Sequence, residues 1–169
     1  MSGLNKPISY NFQESHGLIP NHPVYPVLFY KETLFEEVEA CFNRNNWKNS
    51  WRGGVYDYHH YHSTSHEVLG VTSGSGIIML GGEKGKEQKM IKGDVVIIPA
   101  GVGHKLMDST DDFEVVGAYP FGSSYDIKTE NQVDFEQGQQ EIERAPFPDQ
   151  DPVHGKHGPL FEKWQPVNK

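Results

Sequence analysis

The sequence predicts an all-β fold, an antiparallel sandwich or barrel with a strand and helix before it and an irregular tail after it. Three observations carry this expectation. Between residues 53 and 121, seven short runs rich in β-branched and aromatic residues are separated by Gly, Ser and Asp turns. The run Val95–Ile98 is apolar on both faces, so in an antiparallel fold its outward face must also be covered. The flanking stretches, 1–52 and 122–169, lack this rhythm.

Within 1–52, the segment 24–30 (VYPVLFY) is β-branched and aromatic, and Pro26 inside it suggests an edge strand or an extended arm. Thr33 and Glu36 then have capping-box spacing. Leu34, Phe35, Val38, Cys41 and Phe42 follow at helical spacing, which predicts an amphipathic helix over 34–44. Cys41 lies on the apolar stripe with nothing basic beside it, and reads as a packed core thiol. Residues 43–54 (NRNNWKNSWRGG) read as a polar connection carrying Trp47 and Trp51.

The seven runs of the central stretch are VYDYHHYH, HEVLGVTS, GIIMLGG, EQKMIK, DVVIIPA, GHKLMDS and DFEVVGAY. The tail from 122 is punctuated by Pro146, Pro148, Pro152, Pro159 and Pro166, so long helices or strands are not expected there. Yet Phe135, Phe147, Leu160, Phe161 and Trp164 are spaced through it, and a disordered tail usually holds fewer apolar side chains. An ordered arm that wraps the barrel or a neighbouring subunit fits better. The two-sided strand at 95–98 and the aromatic arms together suggest a homodimer with arm exchange.

Length and charge narrow the classes. At 169 residues the chain is read as a single domain, 1–169, with an N-terminal extension (1–52), a barrel (53–121) and a C-terminal arm (122–169). It needs no disulfide or structural metal to fold. With 15 basic and 23 acidic residues the net charge is −8, which argues against nucleic acid and anionic membrane surfaces as partners. A mean hydropathy of −0.63 and the lack of a long apolar run exclude a transmembrane helix. The opening residues carry no apolar core of signal-peptide length, so a cytoplasmic protein is expected. The single cysteine excludes an intramolecular disulfide framework and a four-thiolate zinc site.

Chemistry concentrates in the histidines. Of nine, four fall between positions 59 and 66. On a strand His60 and His62 point the same way, and His59 and Tyr61 point the other. Two histidines on one strand face can serve one metal, although an isolated pair is weak evidence. Glu67 follows five residues after His62, long enough for a bend that returns its carboxylate from a second strand. His104 follows Gly101 and Gly103 at the start of a later strand. Three imidazoles and one carboxylate suit a divalent first-row metal and leave positions open for water or substrate.

These residues resemble the cupin superfamily in both of its motifs. The first motif is matched by Gly54, His60, His62, Glu67 and Gly74 with every spacing met. The second is matched by Gly93, Pro99, Gly101 and His104, with Asp108 where the motif has Asn. The resemblance covers about 54–119, and the surrounding text is similar to single-domain bacterial cupins of the YjlB type. It implies a jelly-roll-like barrel and a metal site at His60, His62, Glu67 and His104. It does not imply a substrate.

Other residues divide between a site and a bland role. His66 shares the parity of His60 and His62 and competes with Glu67 as a ligand, unless a turn breaks the parity. Tyr56 and Tyr58 share the face of His60 and either line the pocket or pack in the core. Arg52 either holds an anionic substrate or makes a surface ion pair. Asp108 shares strand parity with His104 and either orients a ligand or sits at the barrel mouth. His59 is expected to face outward, and His154 and His157 either lid the site or lie on the surface.

The expected function is a metal-dependent cupin acting on a small oxygen-rich molecule, of oxygenase or isomerase type, with no catalytic residue assigned beyond the ligands. Its cofactor would be one divalent transition metal: Fe, Mn, Ni or Zn. Two other readings remain, a metal-assisted small-molecule binding or sensor module without turnover, and a structural cupin.

Overall fold

The computed structural model describes residues 6–166. The start of the N-terminal stretch, 1–5, and the end of the tail, 167–169, lie outside the described residues. The chain opens with β1 (Ile8–Tyr10), β2 (Val27–Tyr30), helix α1 (Val38–Arg44) and β3 (Trp47–Gly53). Then come β4 (His60–Tyr61), β5 (Glu67–Ser73), β6 (Ser75–Leu80), β7 (Lys86–Ile91) and β8 (Val95–Ile98). β9 (His104–Ser109), β10 (Glu114–Pro120) and β11 (Lys128–Thr129) complete the strands. The tail adds α2 (Gln132–Glu141), a 3₁₀ turn (Ile142–Arg144) and α3 (Leu160–Lys163).

Two antiparallel sheets result, in the orders β1-β2-β8-β5-β10-β3 and β11-β4-β9-β6-β7. Distant strands pair in both, β8 between β2 and β5 and β9 between β4 and β6, the crossover pattern expected of a jelly-roll-like fold. Alternation along the strands divides the core. Leu69, Val71, Val96, Ile98 and Val115 of the first sheet meet Ile78, Leu80 and Met90 of the second. Burying side chains of this size contributes about 1.5–3 kcal/mol each.

The opposite face of β8 carries Val95 and Ile97. It is covered by Val38 and Phe42 of α1 and by Leu160 and Trp164 of the tail. That face therefore needs no second subunit to cover it. The tail is ordered and wraps its own barrel: the Trp164 indole donates to the Pro26 carbonyl at 2.9 Å, and Asp151, fully buried, accepts from the Leu160 amide at 3.1 Å. Gly70 of β5 makes room for α1, because a Cβ there would meet Val38 Cγ1 at 2.7 Å and Phe42 Cζ at 2.9 Å.

Four local expectations are corrected. β2 is an interior strand, paired with both β1 and β8, and Pro26 precedes its first residue. The capping box does not form. Leu34 donates its amide to the Gly93 carbonyl at 2.9 Å, so that segment is tied to the barrel and α1 begins at Val38. The polar connection over 43–54 contains β3, an edge strand beside β10, with Trp47 fully buried and the more polar residues on its open side. The tail contains a ten-residue helix, α2, in its proline-free part, with the Asn131 side chain accepting from the Asp134 amide at 2.8 Å. Cys41 is buried as expected, and burial pushes its thiol pKa up.

Candidate metal centre

Strand pairing assembles the site. His60 of β4 lies directly opposite His104 of β9, with ring centroids 4.1 Å apart. His62 follows β4, and its carbonyl accepts from the Gly101 amide at 2.7 Å, which ties the first histidine pair to the turn that delivers His104. Gly101 has φ of 88°, and a Cβ there would meet the Asn21 carbonyl at 2.6 Å, so the bend requires glycine. Glu67 opens β5 on the same face as Leu69 and Val71, which points its side chain into the barrel.

A ring nitrogen from each of His60, His62 and His104 lies within 4.8 Å of the others, and all three residues are buried. Glu67 Oε1 lies 3.2 Å from His62 Nε2 and 3.4 Å from His104 Nε2. The opposite ring nitrogens face backbone carbonyls. His60 Nδ1 lies 3.0 Å from the Tyr58 carbonyl, His104 Nδ1 lies 3.1 Å from that of Val102, and His62 Nδ1 meets that of Asp126. A carbonyl only accepts, so each Nδ1 carries the hydrogen, and the neutral ring presents a lone pair at Nε2.

Charge is unevenly distributed. Burial pushes the His60 pKa down to about 3, and nearby His104 adds to this. Burial also opposes charge on His62, but Glu67 and the Asp126 carbonyl outweigh it and raise its pKa. Burial alone would raise the Glu67 pKa, yet His62 and His104 hold it well below the usual carboxylate range. The second carboxylate oxygen, Oε2, accepts from the Tyr119 hydroxyl at 2.6 Å, and that hydroxyl accepts from the Trp51 indole at 2.8 Å. Burial, then Glu67, drives the Tyr119 pKa far up, so the phenol stays protonated.

The four buried groups floor a cavity of about 300 Å³. Tyr56 lines it, with its ring 5.1 Å from that of His60. Tyr58 stacks on Tyr56 at 5.0 Å but is not among the lining residues. Arg52 is half-exposed and lies within 3.4 Å of both Glu39 and Glu114, as a surface ion pair. Asp108 lies towards the other end of β9 from His104, exposed, with its carboxylate on the Ser109 amide. His66 turns away from the cavity. It is buried against Trp164 and Tyr25 and accepts from the Ala100 amide at 2.9 Å, so the bend before β5 separates it from Glu67. His59 is not part of the cluster, and His154 packs against Tyr30.

Sequence reasoning missed Trp51, Tyr119, Tyr125 and Asp126. Trp51 and Tyr119 face inward from β3 and β10, and Gly117 sits opposite Trp51 because a Cβ would lie 2.4 Å from the indole. Tyr125 stacks on Tyr119 at 4.2 Å and closes one wall. The Asp126 carboxylate accepts from the amides of Ser63 and Thr64, each at 2.9 Å, and receives Lys128 Nζ at 2.8 Å. This pins the 121–127 segment against His62. Only the aromatic character of the first three was visible beforehand, since nothing in the sequence pairs β10 with β5 or brings residue 126 to residue 63.

A barrel of two sheets with this His-His-Glu-His floor is the arrangement of a cupin. A model of the cupin domain matches residues 51–117. The chain is 45% identical over 155 residues to "Uncharacterized protein YjlB" of Bacillus subtilis (strain 168), covering 90% of this chain and 94% of that protein. The chain belongs to the cupins, in the group of that Bacillus protein. Among solved structures, acireductone dioxygenase from Bacillus anthracis, with a cadmium ion in its active centre, is 22% identical over 53% of this chain and 59% of its own, with a TM-score of 0.37. The sugar ketoisomerase QdtA from Thermoanaerobacterium thermosaccharolyticum, in complex with TDP, is 18% identical over 57% of this chain and 76% of its own, with a TM-score of 0.44. A cupin-like protein from Thermotoga maritima is 18% identical over 68% of this chain and 86% of its own, with a TM-score of 0.36.

Proposed function

We propose that the protein is a cytoplasmic, metal-dependent cupin enzyme that holds one divalent transition metal on His60, His62, Glu67 and His104 and acts on a small molecule bound above it. The observation that carries this reading is the shared orientation of the three imidazoles, each with Nδ1 on a backbone carbonyl, which leaves Nε2 as the ligating nitrogen, with Glu67 Oε1 set against two of the three. The Glu67 separations of 3.2 and 3.4 Å also suit the donor set. Ligands about 2.1 Å from one ion at right angles stand roughly 3.0 Å apart. An ion held there would take the place of the protons that Glu67 otherwise shares with His62 and His104.

The metal would supply Lewis acidity or a site for dioxygen, at coordination positions facing the cavity. The chain's own part is to fix the ligands, exclude bulk water and hold the substrate. Carbonyl isomerisation needs a general base within hydrogen-bond reach. Among the described residues lining the cavity, the only acid–base groups beyond the four proposed ligands are tyrosines. This favours oxygenase-type chemistry over isomerisation, and it equally leaves room for a sensor that binds without turnover.

The test is the fate of a bound compound. Compounds that bind the metal-loaded protein are incubated with it under air and then recovered. Chemical change accompanied by dioxygen uptake supports the enzyme. Recovery of every such compound unchanged, with metal in place, supports the sensor.

A further inference from the structure

We infer that the ligand is a small, flat, largely apolar molecule, aromatic or conjugated, that offers two adjacent oxygens and carries at most one negative charge, with no phosphate. This rests on the metal-dependent reading above and narrows its substrate class.

Size comes first. A cavity of about 300 Å³ is at the small end for ligand sites, with space for roughly ten water molecules. Its walls above the four buried groups are Trp51, Val55, Tyr56, Leu69, Tyr125 and Ile127. Three of these six, Trp51, Tyr56 and Tyr125, are flat rings, which pack favourably on another ring at offset or edge-on geometry, and the other three are aliphatic.

The absent side chains are as informative. Among the described residues, no Lys or Arg lines the cavity. Phosphate recognition relies on such cations or on a helix N-terminus, and the cavity is lined by strand and loop residues. Nor does any Ser, Thr, Asn, Gln or Asp line it, and the Trp51 indole and Tyr119 hydroxyl are already paired with each other and Glu67. A polyhydroxylated sugar would lose water from each hydroxyl with few partners in return. Charge gives the same answer. A divalent ion with one carboxylate leaves a single positive charge, which one monoanionic oxygen pair neutralises.

Three probes share one chelating head and differ only in the body: benzohydroxamate, acetohydroxamate and phosphonoacetohydroxamate. Each is titrated into the nickel-loaded protein, with metal content measured before and after. The expected result is benzohydroxamate at least tenfold tighter than acetohydroxamate, and phosphonoacetohydroxamate weaker than both. Replacing a wall ring in Tyr125→Ala, or separately in Tyr56→Ala, should shrink the benzo-to-aceto affinity ratio severalfold in protein that retains its nickel, and an unchanged ratio in both variants counts against the inference. Equal affinity for the first two probes, or tightest binding of the phosphonate, with nickel retained, overturns the inference and leaves the metal site standing. A protein that takes up no nickel or other divalent ion overturns the metal reading itself, and this inference falls with it.

Discussion

Tyr119 donates its hydroxyl hydrogen to Glu67 Oε2 at 2.6 Å, which leaves Oε1 alone to face His62 and His104. The phenol therefore selects which carboxylate oxygen faces the histidines, and its raised pKa keeps it a donor at any physiological pH. Outer hydrogen bonds of this kind are commonly worth 10–100-fold in metal affinity. Tyr119→Phe should weaken metal binding by about that factor in chelator competition, while the circular dichroism of the barrel stays unchanged. Wild-type affinity in the variant would show that Glu67 needs no such orientation.

The Trp51 indole lies flat over Gly117, and the pair sets the depth of the cavity. A Cβ at 117 would stand 2.4 Å from the ring, so Gly117→Ala must push the indole out of place and break its bond to Tyr119. Overpacking of this kind costs about 1–3 kcal/mol. Urea unfolding should show a lowered midpoint with an unchanged slope, and tryptophan emission of the folded variant should shift. A midpoint equal to wild type would mean that the indole relaxes freely.

Arg52 stands between two cavity-lining residues, Trp51 and Gly53, but its side chain is held outside by Glu39 and Glu114. Its contacts with Glu39 and Glu114 are solvent-exposed, and such pairs contribute at most about 1 kcal/mol. Arg52→Ala should leave metal content and probe affinity at wild-type levels. A tenfold loss of affinity for an anionic probe would return Arg52 to the site.

A pH effect on stability is expected away from the metal centre. His22 Nδ1 accepts from the amides of Val24 at 3.1 Å and Tyr25 at 2.9 Å, bonds that protonation would break. Burial lowers its pKa to about 4, against 6.5 when unfolded. The group's contribution is therefore complete above pH 6.5. It is lost as pH falls towards 4, because the unfolded chain takes up the proton first, with a slope of up to about 1.4 kcal/mol per pH unit. His22→Asn keeps an acceptor and removes the titration, so its unfolding free energy should fall less steeply between pH 6.5 and 4.5. Parallel curves for the two proteins would assign the pH dependence to other groups.

The barrel strands were legible because alternation and turn residues repeat locally, and the buried β8 announced itself by being apolar on both faces. The histidines were legible because spacing along a strand sets direction: His60 and His62 share a face, and the turn at Gly101 aims His104. What escaped depends on contacts between distant segments. β3 reads as polar because one side of it is open at the sheet edge, and Trp47 becomes core only once the tail folds over it, its indole donating to the Gln150 carbonyl at 2.7 Å. α1 starts late because the Gly93 carbonyl, some sixty residues on, accepts from the Thr33 amide that Glu36 would have bonded in a capping box, and from the Leu34 amide beside it. Tyr119 acquires its role only through the pairing of β10 with β5.

The central claim is that His60, His62, Glu67 and His104 hold one metal ion. The direct measurement is elemental analysis of the protein purified without an affinity metal or chelator, alongside His60→Ala and His104→Ala. The account predicts close to one iron, manganese, nickel or zinc per wild-type chain, and almost none in either variant although both keep the barrel's circular dichroism. No metal in the wild type, even after anaerobic reconstitution with each ion, or an unchanged metal content in both variants, would contradict it.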